Sequence, residues 1–288
     1  MSLNNVFKAD KKLSSLYFRA LASMLVTKKN EYKQSVNWTC FDQRRTDLNH
    51  LKRYASLCGF ELNNQVPVTY PHVLAFRAQL SLLTSNAFVL PVIGLIHTRN
   101  RITQLKPIPL QCKIDIRCFL NSPIKMPKGI QNELITEVSI DGETVWHSSS
   151  FFLYRKNFAE DELEGKPEPI VLPERAKWRS TDWLANASVG RNYAKLSGDY
   201  NPIHLSAWSA KFFGFKQAIA HGMWTKAKCI GSFRAIAQEF KTIDVQFKKP
   251  LFLPGVPNFQ TSTLNHSHYF FLATKNSDIQ YLVGKADL

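Results

Sequence analysis

Several short motifs that mark common enzyme classes are missing from this sequence. It contains no glycine-rich loop of the kind that binds dinucleotides or phosphates, and no G-x-S-x-G segment. Its cysteines form an odd set without C-x-x-C spacing or metal-ligand intervals: Cys40, Cys58, Cys112, Cys118 and Cys229. These absences disfavour dinucleotide binding, serine-hydrolase chemistry and a metal site. Such a cysteine set favours a reduced intracellular compartment, the cytoplasm.

Long hydrophobic runs are missing as well. The apolar stretch over residues 87–96 contains Pro91 and falls far short of the roughly 20 residues that a membrane helix needs. We therefore expect no membrane-spanning helix. With 288 residues, of which 44% are hydrophobic, the chain is long enough to bury a substantial core in one or two domains.

Acidic residues are scarce relative to basic ones. Twenty-two Asp and Glu stand against 37 Lys and Arg, which gives a net charge of +15. Residues 1–156 hold most of the excess, with 21 basic against 10 acidic residues. This charge is compatible with nucleic acid, a membrane surface, an acidic protein or a phosphorylated small molecule as partner. The basic residues are scattered and lack RNA-binding signatures, so we expect no nucleic-acid partner.

A segment near the N-terminus has the spacing of an amphipathic helix. Within residues 11–26, apolar side chains recur at helical intervals, with Lys and Arg on the other face. A targeting or membrane-surface role is one interpretation. We favour a packed surface helix, because Arg19 interrupts the apolar stretch and Asp10 and Glu31 are acidic.

The chain shows signs of an internal duplication. Residues 54–59, YASLCG, match residues 193–198, YAKLSG, and His72 corresponds to His221 at an offset that is larger by ten residues. Residues 157–178 are acidic and proline-containing, and we interpret them as a linker. The sequence therefore predicts an N-terminal repeat over 1–156, which includes the extra helix, and a C-terminal repeat over 179–288.

Both halves have the same coarse pattern of one long helix followed by strands. In the first half we predict a helix over 73–85 and strands over 92–97, 111–119, 133–140 and 144–154, the last two joined by a turn at Asp141-Gly142. In the second half we predict a helix over 223–240 and strands over 242–248, 259–265, 269–274 and 279–284. This pattern indicates an α+β fold with antiparallel sheets.

One turn in the second half carries a carboxylate and an imidazole close together. Asp199 follows Ser197-Gly198, where a helix is expected to end, and His204 follows the turn at Asn201-Pro202. Asp and His at this spacing also brace loops by hydrogen bonds, and that interpretation stays open. The first half lacks this turn, and Phe60 stands where Asp199 would be.

A second polar element lies downstream of this turn. His221-Gly222 precedes an apolar segment, so Gly222 is expected at a helix N-terminus, where unpaired N–H groups suit a thioester carbonyl. A packing or capping role for Gly222 is the alternative. His221 is more readily explained as a structural residue than as a catalytic one.

The segments SGDYNPIH and GFKQAIAHGM resemble the MaoC-like dehydratases, which include the (R)-specific enoyl-CoA hydratases. The resemblance covers about thirty residues closely, and the remainder is similar to double-hotdog members with an inactive N-terminal repeat. It implies a hotdog fold, in which a central helix is wrapped by a curved antiparallel sheet. It also implies reversible hydration of trans-2-enoyl thioesters without a metal or redox cofactor.

By position, this resemblance assigns Asp199 and His204 as the pair that activates water, Asn201 as their support, and the Gly222 amide as the thioester contact. His221 is a separate, weaker candidate for thioester binding. Some members carry a serine where this chain has Ile230. One active site per chain is expected. Coenzyme A or acyl carrier protein would be the carrier, and a homodimer is compatible with the family. Thioester hydrolysis and a non-catalytic acyl or nucleic-acid binding module remain alternatives.

Overall fold

The structure of the protein, a computed structural model, describes residues 5–9, 12–23, 38–174 and 177–288. In chain order the helices are Leu13–Ala22 (α1), Leu48–Cys58 (α2), Tyr70–Leu83 (α3), Val189–Ser197 (α4), Ala207–Lys211 (α5) and Gly222–Gly231 (α6). The strands are Asn5–Lys8 (β1), Trp38–Arg45 (β2), Ile96–Gln104 (β3), Lys113–Leu120 (β4), Ile124–Met126 (β5), Gly129–Ile140 (β6), Glu143–Arg155 (β7), Arg179–Asp182 (β8), Thr242–Phe247 (β9), Asn258–Leu264 (β10), Ser267–Ala273 (β11) and Gln280–Asp287 (β12).

Two compact units interleave along the chain. The first comprises Met1–Arg45, Leu74–Asn100 and Lys113–Glu168, and the second comprises Thr46–Val73, Arg101–Cys112 and Pro169–Leu288. Helix α3 and strand β3 each run from one unit into the other. These bounds differ from the predicted repeats 1–156 and 179–288. Contact units and duplicated segments need not coincide, so the repeats and their linker stay a prediction.

The first unit is a helix packed on a largely antiparallel sheet. Strands β2, β4, β6 and β7 pair in that order, and β1 adds in parallel to β2. Buried and exposed residues alternate along β4, as expected for a strand with one face on a core. Helix α3 is fastened to the sheet by polar contacts, because Gln79 donates to Thr136 at 3.0 Å and Arg77 pairs with Asp42 at 2.5 Å.

The second unit repeats this arrangement with a shorter helix. Strands β9, β12, β11, β10 and β8 form an antiparallel series. Helix α6 lies against β9, where the fully buried Lys226 donates from Nζ to the carbonyl of Ile243 at 3.2 Å. Beyond α6, Phe233 packs edge-on against Phe240 and Phe270, and these rings fill the core between the helix end and the sheet.

Most predicted elements are observed, with two informative differences. The helix predicted over 11–26 is observed as α1, and Lys11 and residues 24–26 lie outside the described residues. The strand predicted over 92–97 is wrong in its first part, because the backbone turns at Gly94 (φ 105°) and β3 begins at Ile96. The helix predicted over 223–240 ends at Gly231, since Arg234 adopts φ 55° and a short 3-10 turn follows.

The turn predicted at Asp141-Gly142 is confirmed. It joins β6 to β7, and both residues have positive φ, 49° and 84°, as a two-residue hairpin turn of type I′ requires. No helix among the described residues combines the length and hydropathy that a membrane crossing requires.

Helices α2 and α4, which carry the matching hexapeptides, end in the same way. Gly59 (φ 80°) and Gly198 (φ 78°) each adopt the left-handed conformation just after the helix, and each backbone N–H bonds the carbonyl four residues earlier, Ala55 at 2.7 Å and Ala194 at 2.8 Å. The chain then leaves α2 into buried Phe60 but leaves α4 into Asp199.

Gly190 in α4 lies against the backbone of His204. A Cβ at this position would lie 1.9 Å from the carbonyl oxygen of His204. Helix propensity alone predicts that Gly190→Ala stabilises the protein by about 1 kcal/mol. We expect the steric overlap with the His204 carbonyl to outweigh this gain, so that the free energy of unfolding falls by about 1–3 kcal/mol. Urea denaturation followed by circular dichroism measures the change.

Asn192→Ala on the exposed face of the same helix is the matched control, and it should change stability by less than about 0.5 kcal/mol. A Gly190→Ala protein as stable as the wild type would contradict the close approach of α4 to His204.

Candidate active site

The end of α4 releases Asp199 into a loop. The Ser197 hydroxyl donates to the carbonyl of Tyr193 at 2.9 Å and accepts the backbone N–H of Asp199 at 3.1 Å. The Asp199 side chain is 28% exposed. Because Gly198 ends the helix in the left-handed conformation, the carboxylate is not part of the helical surface and lies at the start of the predicted turn.

Asn201 and Pro202 shape that turn. The backbone N–H of Asn201 donates to Asp199 Oδ1 at 3.1 Å, while its side-chain oxygen accepts the N–H of Ile203 at 3.4 Å and so caps a 3-10 turn over Pro202–His204. The contact between Asn201 and the carboxylate is therefore made by the backbone, whereas the side chain supports the turn.

His204 is buried and held in one tautomer. Its Nδ1 lies 2.8 Å from the carbonyl oxygen of Ile219, which can only accept, so Nδ1 carries the proton. Burial lowers the pKa of His204 below 6.5, although Asp199 and the Ile219 carbonyl act in the opposite direction. A neutral His204 then presents a lone pair at Nε2.

His221 contacts both members of the predicted pair. Its Nε2 donates to the backbone carbonyl of Asp199 at 2.9 Å, and its ring stacks on that of His204 with centroids 3.7 Å apart. Burial, followed by the proximity of His204, lowers the pKa of His221 to about 3, so it is neutral near pH 7. Among the described residues, no hydrogen-bond partner reaches its buried Nδ1.

Gly222 is the first residue of α6, as predicted. His221 is the N-cap, and its side chain makes no capping hydrogen bond to the helix. The first N–H groups of α6 therefore lie at a positive helix end. A Cβ on Gly222 would approach the ring of Phe247 to 3.1–3.3 Å, so the glycine is explained by packing against that ring.

The three polar side chains converge at one place. One ligating atom each from Asp199, His204 and His221 lies within 4.8 Å of the other two. Such a set resembles a metal site, but two of the four imidazole nitrogens already donate to backbone carbonyls. The His221 nitrogen that lies 3.9 Å from Asp199 Oδ2 is one of these, so that nitrogen has no lone pair for a metal ion.

Some residues near the cluster were not predicted as parts of a site. The Tyr193 ring lies 5.0 Å from that of His221. Buried His72 has its pKa lowered to about 4 by burial and by Lys226, with Asp199 acting in the opposite direction. His50 Nε2 bonds the Leu196 carbonyl at 2.9 Å from 146 positions away. In the sequence, His72 is distinguished only as the counterpart of His221, and no local pattern predicts a role for His50 or Lys226.

The remaining predicted positions lie in apolar surroundings. Phe60 is buried and stacks on Tyr54 with centroids 6.2 Å apart. Ile230, which stands where some MaoC-like proteins have a serine, is fully buried in α6. Neither position offers a side-chain polar group.

Comparisons with known proteins point to one family. The sequence profile of the MaoC like domain matches residues 173–270. A curated protein of Mycobacterium tuberculosis, 3-hydroxyacyl-thioester dehydratase X, is 35% identical over 202 residues, which cover 70% of this chain and 71% of that protein.

Solved structures give the same result for the fold. The crystal structure of HtdX from Mycobacterium tuberculosis superposes with a TM-score of 0.72 at 28% identity, covering 86% of this chain and 99% of that one. A MaoC-like dehydratase from Phytophthora capsici has a TM-score of 0.75 at 19% identity, covers 90% and 97% of the two chains, and shows the fold alone. The predicted α+β fold of the double-hotdog type is thereby confirmed. The chain belongs to the MaoC-like dehydratase family.

Proposed function

We propose that this chain catalyses the reversible hydration of trans-2-enoyl thioesters to (R)-3-hydroxyacyl thioesters in fatty-acid metabolism. The observation that carries the proposal is the convergence of Asp199, His204 and His221 beside the N-terminus of α6. The similarity to a protein named 3-hydroxyacyl-thioester dehydratase supports the same reaction class.

Asp199 and His204 are the proposed catalytic pair. The carboxylate and the Nε2 lone pair of neutral His204 are both acceptors, so a water molecule between them would donate one hydrogen to each. This directs an oxygen lone pair of the water away from the pair and toward C3 of the enoyl group. The bond from His204 Nδ1 to Ile219 keeps Nε2 unprotonated and aimed for this task.

The helix start provides the electrophilic half of the site. Attack at C3 moves negative charge through C2 onto the thioester oxygen, where the N–H of Gly222 and the positive end of α6 would stabilise it. An enolate accepts the hydrogen bond more strongly than the ground-state thioester does. The contact therefore favours the transition state over the bound substrate.

Protons balance within the pair. One proton passes from water to the pair as the C3–O bond forms, and the pair returns one proton to C2 as the enolate collapses. In the dehydration direction the pair removes the C2 proton and protonates the departing hydroxyl. No net change of the protein results, so the reaction runs either way according to substrate and product concentrations.

His221 is assigned a positioning role. It donates to the Asp199 backbone, stacks on His204 and precedes Gly222, so it touches both catalytic residues and begins the helix that binds the oxyanion. We propose that His221 supports the turn that carries Asp199 and His204, in place of the weak thioester contact inferred from sequence.

The same proposal includes one catalytic site per chain, because Phe60 replaces the carboxylate in the first half. Coenzyme A or acyl carrier protein carries the acyl group.

All five cysteines are free thiols, in keeping with a cytoplasmic location. A homodimer in solution is part of the proposal and is checked by light scattering.

Removing either catalytic group should nearly abolish turnover. For Asp199→Asn and His204→Ala we expect kcat for crotonyl-CoA to fall by about 10²–10⁴-fold, the usual share of general acid–base catalysis. The assay follows loss of the ultraviolet absorbance of the conjugated enoyl thioester. Asp278→Asn, at an exposed position, is the matched control and should keep full activity. Full activity in both site variants would refute the assignment.

Hydration and hydrolysis are separated by their products. Hydration leaves the thioester intact, so a disulfide reagent should detect no free thiol while the enoyl absorbance disappears. Thiol release at the rate of absorbance loss would instead identify a thioester hydrolase. If salt-sensitive binding of DNA or RNA occurs and no thioester is turned over, the chain is a binding module.

The dependence of kcat/KM on pH should reflect the burial of His204. Its lone pair is needed for catalysis, so protonation inactivates the enzyme as pH falls through the pKa of His204. Burial lowers that pKa below 6.5, so activity should persist at pH 6.5 and its acidic midpoint should lie below that value. Circular dichroism at each pH separates titration from unfolding. A midpoint at or above 6.5 would contradict the lowered pKa.

A further inference from the structure

A groove in the second unit gathers positive charge next to the catalytic turn. It lies between α2 and α4 and has a volume of about 460 Å³. Lys52 and Arg53 line it from α2, and Lys195 lines it from α4. All three side chains belong to exposed residues. The groove therefore collects three cations from two helices in one concave site.

These cations have no acidic partner. Within the described ranges, Lys52, Arg53 and Lys195 form no ion pair, and the groove lining contains no carboxylate. Like charges that converge without a counterion repel one another, and a concave surface concentrates the resulting positive potential. A bound anion would relieve this repulsion.

Two of the other lining residues carry hydrogen-bond donors that suit an oxyanion. Ser56 contributes a hydroxyl donor and Asn192 contributes an amide, beside the forked donors of Arg53. Leu57 and Leu196 are partly buried and complete the lining. Guanidinium, ammonium and hydroxyl donors together form the set that commonly binds phosphate oxygens.

The groove is joined to the active site by helix α4. Lys195 and Leu196 lie in the last turn of α4, which ends at Ser197 and leads through Gly198 into Asp199. His50 on α2 donates from Nε2 to the Leu196 carbonyl at 2.9 Å, and its Nδ1 bonds the Tyr70 hydroxyl at 2.7 Å. This link fixes α2 against the C-terminus of α4, so the groove and the catalytic turn share one support.

We infer that this groove binds the phosphate groups of the carrier to which the acyl thioester is attached. The inference rests on the proposed function, because it takes the substrate to be a thioester. The phosphate could belong to the nucleotide of coenzyme A or to the phosphopantetheine arm that coenzyme A and acyl carrier protein share. The observed donors recognise phosphate in either source.

Kinetics with three crotonyl thioesters test the inference. Pantetheine carries no phosphate, 4′-phosphopantetheine carries one, and coenzyme A carries the nucleotide phosphates as well. In the triple variant Lys52→Gln, Arg53→Gln, Lys195→Gln, KM for crotonyl-CoA should rise about tenfold or more, as expected for loss of charge-assisted contacts. kcat should stay within about twofold, since no catalytic group is touched, and KM for the pantetheine thioester should not change.

The pattern among the substrates identifies the source of the phosphate. An increase in KM for both phosphorylated thioesters places the arm phosphate in the groove, and an increase for crotonyl-CoA alone places the nucleotide there. The control variant Lys113→Gln, Lys241→Gln, Lys275→Gln removes the same charge from exposed positions elsewhere. Equal changes in the two triple variants, or a change with the pantetheine thioester, would overturn the inference.

Calorimetric titration with coenzyme A separates this inference from the proposed reaction. The groove variant should bind coenzyme A at least about tenfold more weakly than the wild type and the control variant, and the wild-type affinity should fall with salt. If that difference is found without turnover of any thioester, the groove stands and the proposed reaction fails. If turnover is found and coenzyme A binds all three proteins equally, the groove assignment fails. Binding of an RNA oligonucleotide in place of coenzyme A would also overturn it.

Discussion

The hydrogen bond between His204 Nδ1 and the Ile219 carbonyl, 2.8 Å long, is the interaction on which the site depends. A carbonyl only accepts, so this bond fixes the imidazole proton and leaves the lone pair at Nε2. The backbone N–H of Ile219 returns a bond to Ile203 at 3.0 Å. Since Ile219 lies just before His221 and Gly222, the pair of bonds fastens the turn that carries Asp199 and His204 to the start of α6.

Burial keeps the imidazoles of this site neutral, and the fold must replace the hydrogen bonds to water that they lose. His204, His221 and His72 are all buried, and removal from water lowers the pKa of each imidazole. Neutral imidazoles can stack, as His204 and His221 do, whereas two charged rings at 3.7 Å would repel strongly. Backbone carbonyls satisfy one nitrogen on each of the stacked rings, which offsets much of the loss of solvation.

Local elements of the fold were predictable where the sequence carries its own stop signals. Gly198 ends α4, the Asp141-Gly142 hairpin has the expected positive φ values, and Gly222 begins α6. The predicted helix over 223–240 was too long, because apolar composition cannot reveal that Arg234 turns left-handed. Strand β2 was not predicted, because the alternation of its buried and exposed residues becomes apparent only when it pairs with β4.

The turn that carries Asp199, Asn201 and His204 was predictable from the sequence alone, and so was the start of α6 at Gly222, because they lie in a short segment whose glycine and proline dictate the backbone. Which atoms come into contact depends on tertiary packing. The imidazole tautomers, the contact of His221 with both Asp199 and His204, and the packing of Gly222 on Phe247 depend on elements that chain folding brings together. Likewise, His50 supports the end of α4 from 146 positions away, and such contacts leave no periodic pattern in a sequence.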